Sequence, residues 1–293
     1  MKRNIKKDIR HYSYLIPALL LIGGIIYYPI LNTLFMSFTD KVGFEPASFV
    51  WFQNYKNLLI DPIFHEVILQ TLYWTFGIIF FTMIISFYLA YFLSKDFYAK
   101  KIVRTILILP WATSMVITAT AYKLILNGQY GFLNKVLHSF NSNFQNIAWL
   151  GNARAAMPCL IFIGIMVSIP FSTLTMMAAF QGIPQEILEA ADIDGASEWK
   201  KLIHIMIPHI KPTIGVVMLV NIIYDFNSFP IIWVLTKGGP VYKTHILVTY
   251  LYEKAFFFME FGSASSIAII IFIIIFILSF LYVRLFHRKE GTI

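Results

Sequence analysis

The sequence predicts an all-α integral membrane protein with six transmembrane helices, folded as a single membrane domain over residues 1–293. Hydrophobic residues make up 58% of the 293 residues and charged residues only 13%, far from the composition of soluble domains. Apolar runs of about 20 residues, the length that crosses the hydrocarbon core, recur along the chain. The net charge of +8 comes from Lys and Arg that flank these runs, so it indicates membrane topology rather than nucleic-acid binding.

Six segments free or nearly free of charge are the predicted spans. They cover approximately 12–38, 67–93, 102–126, 157–180, 213–235 and 261–283. The first follows a basic tail and is longer than the apolar region of a signal peptide, which predicts an uncleaved span. After it, residues 51–64 mix aromatic side chains with an Asp-Pro pair, which predicts an interfacial helix and a turn.

The distribution of Lys and Arg orients the chain. Fifteen of these residues flank the spans on the amino-terminal side, and eight lie on the opposite side. Cytoplasmic segments carry the excess of positive charge. We therefore predict a multi-pass protein of the bacterial cytoplasmic membrane with both termini in the cytoplasm. The outer loops, about 39–66, 127–156 and 236–260, are too short for a large folded domain.

The longest polar stretch, residues 181–212, is predicted to lie in the cytoplasm between the fourth and fifth spans. A helix over 185–193 follows Pro184 and ends before Gly195, which offers a left-handed turn. A second helix, capped by a serine and stopped or bent at a proline, is predicted over 198–207. Four carboxylates of this loop could be held by basic groups of a partner; they are Glu189, Asp192, Asp194 and Glu198.

Three short motifs follow one another in this loop at fixed spacing: Glu189-Ala190-Ala191, Gly195 and Ile205-x-Ile207-Pro208. They resemble the EAA loop of bacterial ABC importer permeases, although Ile replaces the usual Leu before the proline. The resemblance implies a coupling helix that docks into a groove on a separate ATPase subunit. The coupling residues that it implies are Glu189, Ala190, Ala191, Asp194 and Gly195. The alternative is an ordinary amphipathic connector.

Asp225 is the only acidic residue well inside a predicted span, and a carboxylate at membrane depth is costly unless it faces a cavity or a partner. Tyr224, Asn227 and Ser228 place further polar atoms within about one and a half helical turns of it. Aromatic, amide, hydroxyl and carboxylate groups together are typical of sugar binding. A helix–helix hydrogen bond or a kink at Pro230 is the structural alternative.

Further motifs extend the resemblance to nearly the whole chain. They are FQNY at 52–55, Asp61-Pro62, Leu109-Pro110, Gly131 with Asn134, and NSFPIIWVLTKGGP at 227–240. Together they resemble the MalF-like permeases of carbohydrate importers. By position, the sugar-contacting residues of that family correspond to Gly164, Ser168, Phe171, Asp225 and Ser228. Asp225 stands where the maltose permease has an amide, so the preferred sugar can differ.

The sequence therefore predicts a non-enzymatic permease subunit of a carbohydrate ABC importer. The segment 238–244 lacks the glycine that precedes Lys in a phosphate-binding loop, and the histidines form no zinc motif. No catalytic residue, metal site or cofactor is predicted in this chain. The resemblance implies a second homologous permease, two ATPase subunits that bind ATP and Mg, and an extracytoplasmic solute-binding protein.

Three alternatives remain open from the sequence. The first is a glycerol 3-phosphate importer, although the spans lack a central Arg or Lys and a partner permease would have to supply one. The second is a secondary carrier that works without ATP and uses Asp225 as a proton or cation site. The third is a membrane-embedded enzyme, which is weaker because a single buried acid has no visible catalytic companion.

Overall fold

The computed structural model describes the backbone of residues 14–287 and the side chains of 14–284, and over that range it is helical with one isolated bridge, Thr39 to Phe49. The helices are α1 (Ile16–Met36), α2 (Gln53–Ile60), α3 (Pro62–Ser94), α4 (Lys100–Ala112), α5 (Met115–Ile125), α6 (Phe132–Phe140), α7 (Ala156–Gln181), α8 (Gln185–Ile193), α9 (Glu198–Lys201), α10 (Ile207–Phe226), α11 (Phe229–Leu235), α12 (Leu247–Phe256) and α13 (Phe261–His287). The basic tail and the start of the first predicted span lie outside the described residues.

Within residues 14–287, five helical segments are long and apolar enough to cross a membrane, and a sixth results if α4 and α5 form one span. All six predicted spans correspond to these segments, which confirms the all-α membrane fold class. The third span, predicted over 102–126, is not one continuous helix. It bends by 96° between α4 and α5, because Thr113 is extended with ψ of 152° and its hydroxyl donates to the Pro110 carbonyl at 2.9 Å.

The helix was predicted to be stopped or bent at Pro208, and the structure shows that it does not stop there. A π-helical turn, Leu202–Met206, joins α9 to α10, and the helix continues through Pro208. Proline lacks an N–H and is tolerated in the first turn of a helical segment, and Pro208 lies in the first turn after the π-helical turn. One helical run of 38 residues, Glu198–Leu235, therefore continues from the polar loop at 181–212 into the fifth predicted span, with a break before α11.

The chain divides into two compact units. The first contains the described part of Met1–Asp61 together with Leu251–Phe272. In it, Asn54 donates to the carbonyls of Ser37 and Thr39 at 2.9 and 2.8 Å, and the Tyr55 hydroxyl donates to Ser37 Oγ at 2.8 Å. Asn54 and Tyr55 of the FQNY motif thus fix the chain where it leaves α1. Helix α2 corresponds to the helix predicted in residues 51–64.

The second unit contains Pro62–Tyr250 and the described part of 273–293. Its core forms where α3 packs along α7. Gly164 of α7 faces Ile78 and Trp74 of α3, and a Cβ at residue 164 would overlap Ile78 Cδ1. In the same way Gly77 of α3 faces Ile161. Small residues at these contacts allow two membrane helices to approach closely, which increases their van der Waals contact.

Candidate functional site

The turn of the loop at 181–212 forms as the sequence predicted. Helix α8 ends at Ile193, and Gly195 adopts φ of +73°, a conformation that side chains with a Cβ resist. The Ala196 N–H then donates to the Ala191 carbonyl at 2.9 Å and closes the turn. Ser197 caps α9, because its hydroxyl accepts a hydrogen bond from the Lys200 N–H at 3.4 Å.

The predicted coupling residues lie on an accessible surface of this loop. Glu189, Ala190 and Asp194 are exposed, and Ala191 is half-buried. No described residue bonds the Glu189 side chain. Ile193 is 88% exposed beside them, although an isoleucine in water gains by being covered. The surface therefore combines a free carboxylate with apolar area that a partner could bury.

Two other carboxylates of the loop are already paired within the chain. Lys201 Nζ lies 2.7 Å from Asp192 Oδ1 and also forms an ion pair with Glu198 Oε1. Lys95, just beyond the end of α3, lies 2.8 Å from Glu198 Oε2. Hydrogen bonds with Glu198 and then Tyr91 raise the pKa of Lys95. Asp192 and Glu198 thus differ from Glu189, which keeps its carboxylate available to a partner.

In the membrane interior, Asp225 lies at the carboxyl end of α10, where helix carbonyls lose their intrahelical partners. The Asp225 carbonyl accepts hydrogen bonds from Trp74 Nε1 at 2.8 Å and from the Ser228 N–H at 3.2 Å. Asn227 donates its amide to the Ile223 carbonyl at 2.8 Å. The polar residues after Tyr224 therefore end one helix and allow α11 to begin.

The Asp225 carboxylate is 3% exposed. Its Oδ1 accepts from the Ser168 hydroxyl at 3.2 Å, whereas Oδ2 is buried without a hydrogen-bond partner among the described residues. A buried acceptor without a partner costs about 1–3 kcal/mol. Asp225 thus fixes the direction of the Ser168 hydroxyl and retains one unused acceptor.

A cavity of about 230 Å³ opens beside this pair. It is lined by Trp111, Val167, Ser168, Phe171, Val220, Asn221 and Tyr224. Three of the predicted substrate residues, Ser168, Phe171 and Tyr224, are therefore brought together. Three aromatic rings and the polar groups of two buried side chains form a wall that suits a ligand with apolar faces and hydroxyl edges.

The other predicted substrate residues do not line this cavity. Gly164 is packed against α3, Asn227 bonds its own helix, and Asp225 lies behind Ser168. Ser228 is buried next to the helix break. These four residues contribute to the packing and the ends of the helices around the cavity.

Four lining residues were not predicted from the sequence, namely Trp111, Val167, Val220 and Asn221; Trp111 and Asn221 are the two that add an aromatic ring and an amide. Asn221 precedes Tyr224 by three and Asp225 by four residues, a spacing that places all of them on neighbouring parts of one helix face. Its Nδ2 donates to Ser172 Oγ at 2.8 Å. Trp111 directly follows the Leu109-Pro110 pair and comes to the cavity because the span bends immediately after it.

The loop between α11 and α12, which contains the GGP at 238–240, is held by a hydrogen-bond network of its own. Gly238 has φ of +84°, and a Cβ there would overlap the His245 ring. The hydroxyls of Thr236 and Thr244 lie 2.7 Å apart, and Thr244 donates to the Gly239 carbonyl at 2.6 Å. Burial lowers the pKa of His245 to about 4.

Another outer segment explains the Gly131 and Asn134 motif. Asn134 is buried and donates to the carbonyls of Gly128 and Ile147 at 2.9 and 3.0 Å, and it accepts from Trp149 Nε1 at 2.9 Å. A Cβ at Gly131 would overlap backbone atoms of Asn127. Both motif residues therefore fold the outer loop. In the described part of the chain, no group of three or more His, Cys, Asp or Glu could hold a metal ion.

Long apolar helices, a cavity between helices of the second unit and an exposed polar loop are typical of a membrane transport component. Residues 82–291 match the family of the binding-protein-dependent transport system inner membrane component. The chain belongs to this family of ABC transporter permeases, which are transport subunits and not enzymes. This confirms the resemblance and is contrary to the alternatives of a secondary carrier and a membrane enzyme.

Relatives and solved structures agree with this assignment. A probable ABC transporter permease protein of Brucella suis is 35% identical to this chain, and the alignment covers 96% of this chain and 98% of the relative. The trehalose/maltose transport system permease protein MalF of Thermococcus litoralis is 29% identical, covering 94% and 92%. The sulfoquinovosyl glycerol transport system permease protein SmoG of Agrobacterium fabrum is 28% identical, covering 94% and 90%. A chain of a bacterial alginate ABC importer shares the fold, with a TM-score of 0.86, 23% identity and 98% coverage of both chains.

Proposed function

We propose that this chain is one of two permease subunits of an ATP-driven importer and that its cargo is a carbohydrate. The aromatic cavity beside Ser168 is the observation that carries the proposal. Rings can cover the C–H faces of a sugar, while the Ser168 hydroxyl and the Asn221 amide are available to its hydroxyl groups. Relatives named for trehalose/maltose and sulfoquinovosyl glycerol transport support this substrate class.

The cytoplasmic loop is proposed to couple the cavity to a separate ATPase. Helix α8 would dock into a groove of one ATPase subunit, and Glu189 would receive a basic group of that subunit. Closure of the ATPase dimer, which binds ATP and Mg, would draw the coupling helices of the two permeases together and open the path outward. Hydrolysis would return it to the inward-open state.

The rest of the assembly follows from the same proposal. A second homologous permease completes the path, two ATPase subunits drive it, and an extracytoplasmic solute-binding protein delivers the sugar. Both termini of this chain and the loop at 181–212 face the cytoplasm, as the excess of Lys and Arg on that side indicates. The outer loops then face the solute-binding protein.

Two variants at the cavity test the substrate site. Phe171→Ala and Trp111→Ala each remove a ring, and an aromatic contact contributes about 0.5–1.5 kcal/mol beyond area burial. We expect sugar uptake at subsaturating concentration to fall by about three- to tenfold in each. Phe162→Ala is the matched control, because Phe162 is on the same helix, 54% exposed and outside the cavity. Wild-type uptake in both cavity variants would contradict the proposed site.

A second pair of variants tests the coupling surface. Glu189→Ala should lower both transport and the ATPase stimulation caused by the loaded solute-binding protein, without changing the affinity of that protein for sugar. Gly195→Val should do more damage, because a β-branched residue resists φ of +73°. Unaltered transport in both variants would refute the coupling assignment.

Glycerol 3-phosphate is the second candidate cargo. Among the cavity-lining residues that the structure describes there is no Lys or Arg, and a phosphate group normally requires such a partner. An excess of glycerol 3-phosphate should therefore leave sugar uptake unchanged. Competition between the two would favour the phosphate ester.

A further inference from the structure

At the cytoplasmic side of the molecule, the side chain of Lys201 links α8 to α9, and Glu198 extends this link to the end of α3. Lys201 reaches back across the Gly195 turn to Asp192 of α8, at 2.7 Å, and pairs with Glu198 on its own helix. Glu198 uses its second oxygen to accept from Lys95 Nζ at 2.8 Å and from the Tyr91 hydroxyl at 3.3 Å. A continuous chain of ion pairs and hydrogen bonds thus joins α8, α9 and the end of α3.

Burial distinguishes this network from ordinary surface ion pairs. Lys201 is 7% exposed although it lies in a polar loop, and Leu202 beside it is buried in the apolar core at 4%. Exposed pairs contribute little because water screens them and long side chains lose entropy. Lys201 is already ordered by packing, so less entropy is lost when it holds two carboxylates.

The position of Lys201 gives the network a mechanical consequence. Lys201 is the last residue of α9, and the helical run that follows it reaches Asp225 and the cavity. These 24 residues correspond to about 36 Å of helix. A displacement of α8 can reach the cavity through this run only if α8 and α9 move together, because the Gly195 turn between them is otherwise a hinge.

We propose that Lys201 is a positioning residue that locks α8, α9 and α3 into one rigid unit, so that motion of the ATPase reaches the transmembrane helices. This inference rests on the proposed coupling role of the loop and adds the element that transmits its motion. Without Lys201, α8 remains docked but pivots about Gly195. ATP is then hydrolysed without opening the path.

The test compares the amount of sugar transported for each ATP hydrolysed, in proteoliposomes that contain the whole complex and the solute-binding protein. Lys201→Met keeps the length of the side chain and removes its charge. We expect the ratio to fall by about fivefold or more. Lys200→Met is the matched control, because Lys200 is exposed on the same helix and none of the described ion pairs includes it. It should keep the wild-type ratio, and Lys201→Arg should retain most of it.

A merely structural role would lower the amount of assembled complex but leave the ratio unchanged. An unchanged ratio in assembled Lys201→Met complex would therefore overturn the proposal. If this variant does not assemble, Asp192→Asn is measured instead, because Asp192 is exposed and the change removes the ion pair between Lys201 and α8. A lower ratio supports the proposal, and a wild-type ratio overturns it. If Glu189→Ala loses coupling while Lys201→Met keeps the wild-type ratio, the positioning role of Lys201 is refuted. The proposed role of Glu189 in binding the ATPase is then retained.

Discussion

Replacing Asp225 with Asn separates two ways in which a buried carboxylate can serve the sugar cavity. The change keeps the size of the side chain and the oxygen that accepts from Ser168 at 3.2 Å, and it removes the ability to carry charge. Oδ2 has no partner among the described residues, so an amide group in its place loses no hydrogen bond. Assembly of the complex should therefore be preserved.

Asp225→Asn is expected to weaken the hydrogen bond that orients the Ser168 hydroxyl. A hydrogen bond to a charged acceptor contributes about 1.5–3 kcal/mol and one between neutral groups about 0.5–1.5 kcal/mol. The difference, about 1 kcal/mol, corresponds to roughly a fivefold weaker uptake at subsaturating sugar. Sugars that differ in the hydroxyl near Ser168 should be affected unequally.

A double-mutant cycle with Ser168→Ala measures whether Asp225 acts through Ser168. If it does, Asp225→Asn has no further effect in the Ser168→Ala background, and the coupling energy is about 1 kcal/mol. Uptake of several sugars by the four proteins, each in the full complex, gives this energy. Additive losses would mean that Asp225 acts independently of Ser168, and wild-type uptake in Asp225→Asn for every sugar would refute its role altogether.

Three further predictions concern the topology and the outer loop. In a Cys159→Ser background, Val241→Cys, at a position that is 79% exposed, should react with an impermeant thiol reagent in intact cells, and Ile193→Cys, at 88%, should not; the reverse pattern would contradict the orientation. Gly238→Ala should lower the Tm of the complex, because a Cβ meets the His245 ring at a positive φ, a cost of about 1–3 kcal/mol; an unchanged Tm would contradict this packing. Burial lowers the pKa of His245 to about 4, so its contribution to stability is complete above about pH 6.5 and is lost, by about 3 kcal/mol in total, as pH falls from 6.5 to 4; the Tm difference between pH 7 and pH 4.5 should therefore be smaller in His245→Gln, and equal differences would contradict it.

Local chemistry made the loop at 181–212 predictable from the sequence. Gly195 offers a left-handed turn and Ser197 an N-cap, and both effects act between residues that are close in the chain. The spans were predictable for a similar reason, because hydropathy over about 20 residues reflects the thickness of the bilayer. The spans and the turn at Gly195 followed from these two signals, whereas α6, α12 and the continuation of the helix through Pro208 did not.

The bend of the third span, the lining of the cavity and the burial of Lys201 depend on contacts between distant parts of the chain. The 96° bend between α4 and α5 interrupts a segment whose hydropathy predicts one span, and the Tyr224 hydroxyl lies 3.8 Å from the sulfur of Met115, just after the bend. Trp111 reaches the cavity only because of this bend. Lys200 and Lys201 are likewise equivalent in the sequence, and packing alone decides that only Lys201 is buried.

The most direct test of the central claim is sugar uptake into proteoliposomes that contain this chain, its partner permease, the ATPase subunits and the solute-binding protein. The sugar is first identified as the ligand that copurifies with the solute-binding protein. We expect uptake to require both ATP inside the vesicle and the solute-binding protein outside. An ionophore should not affect it. Uptake that proceeds without ATP and collapses when an ionophore is added would contradict it.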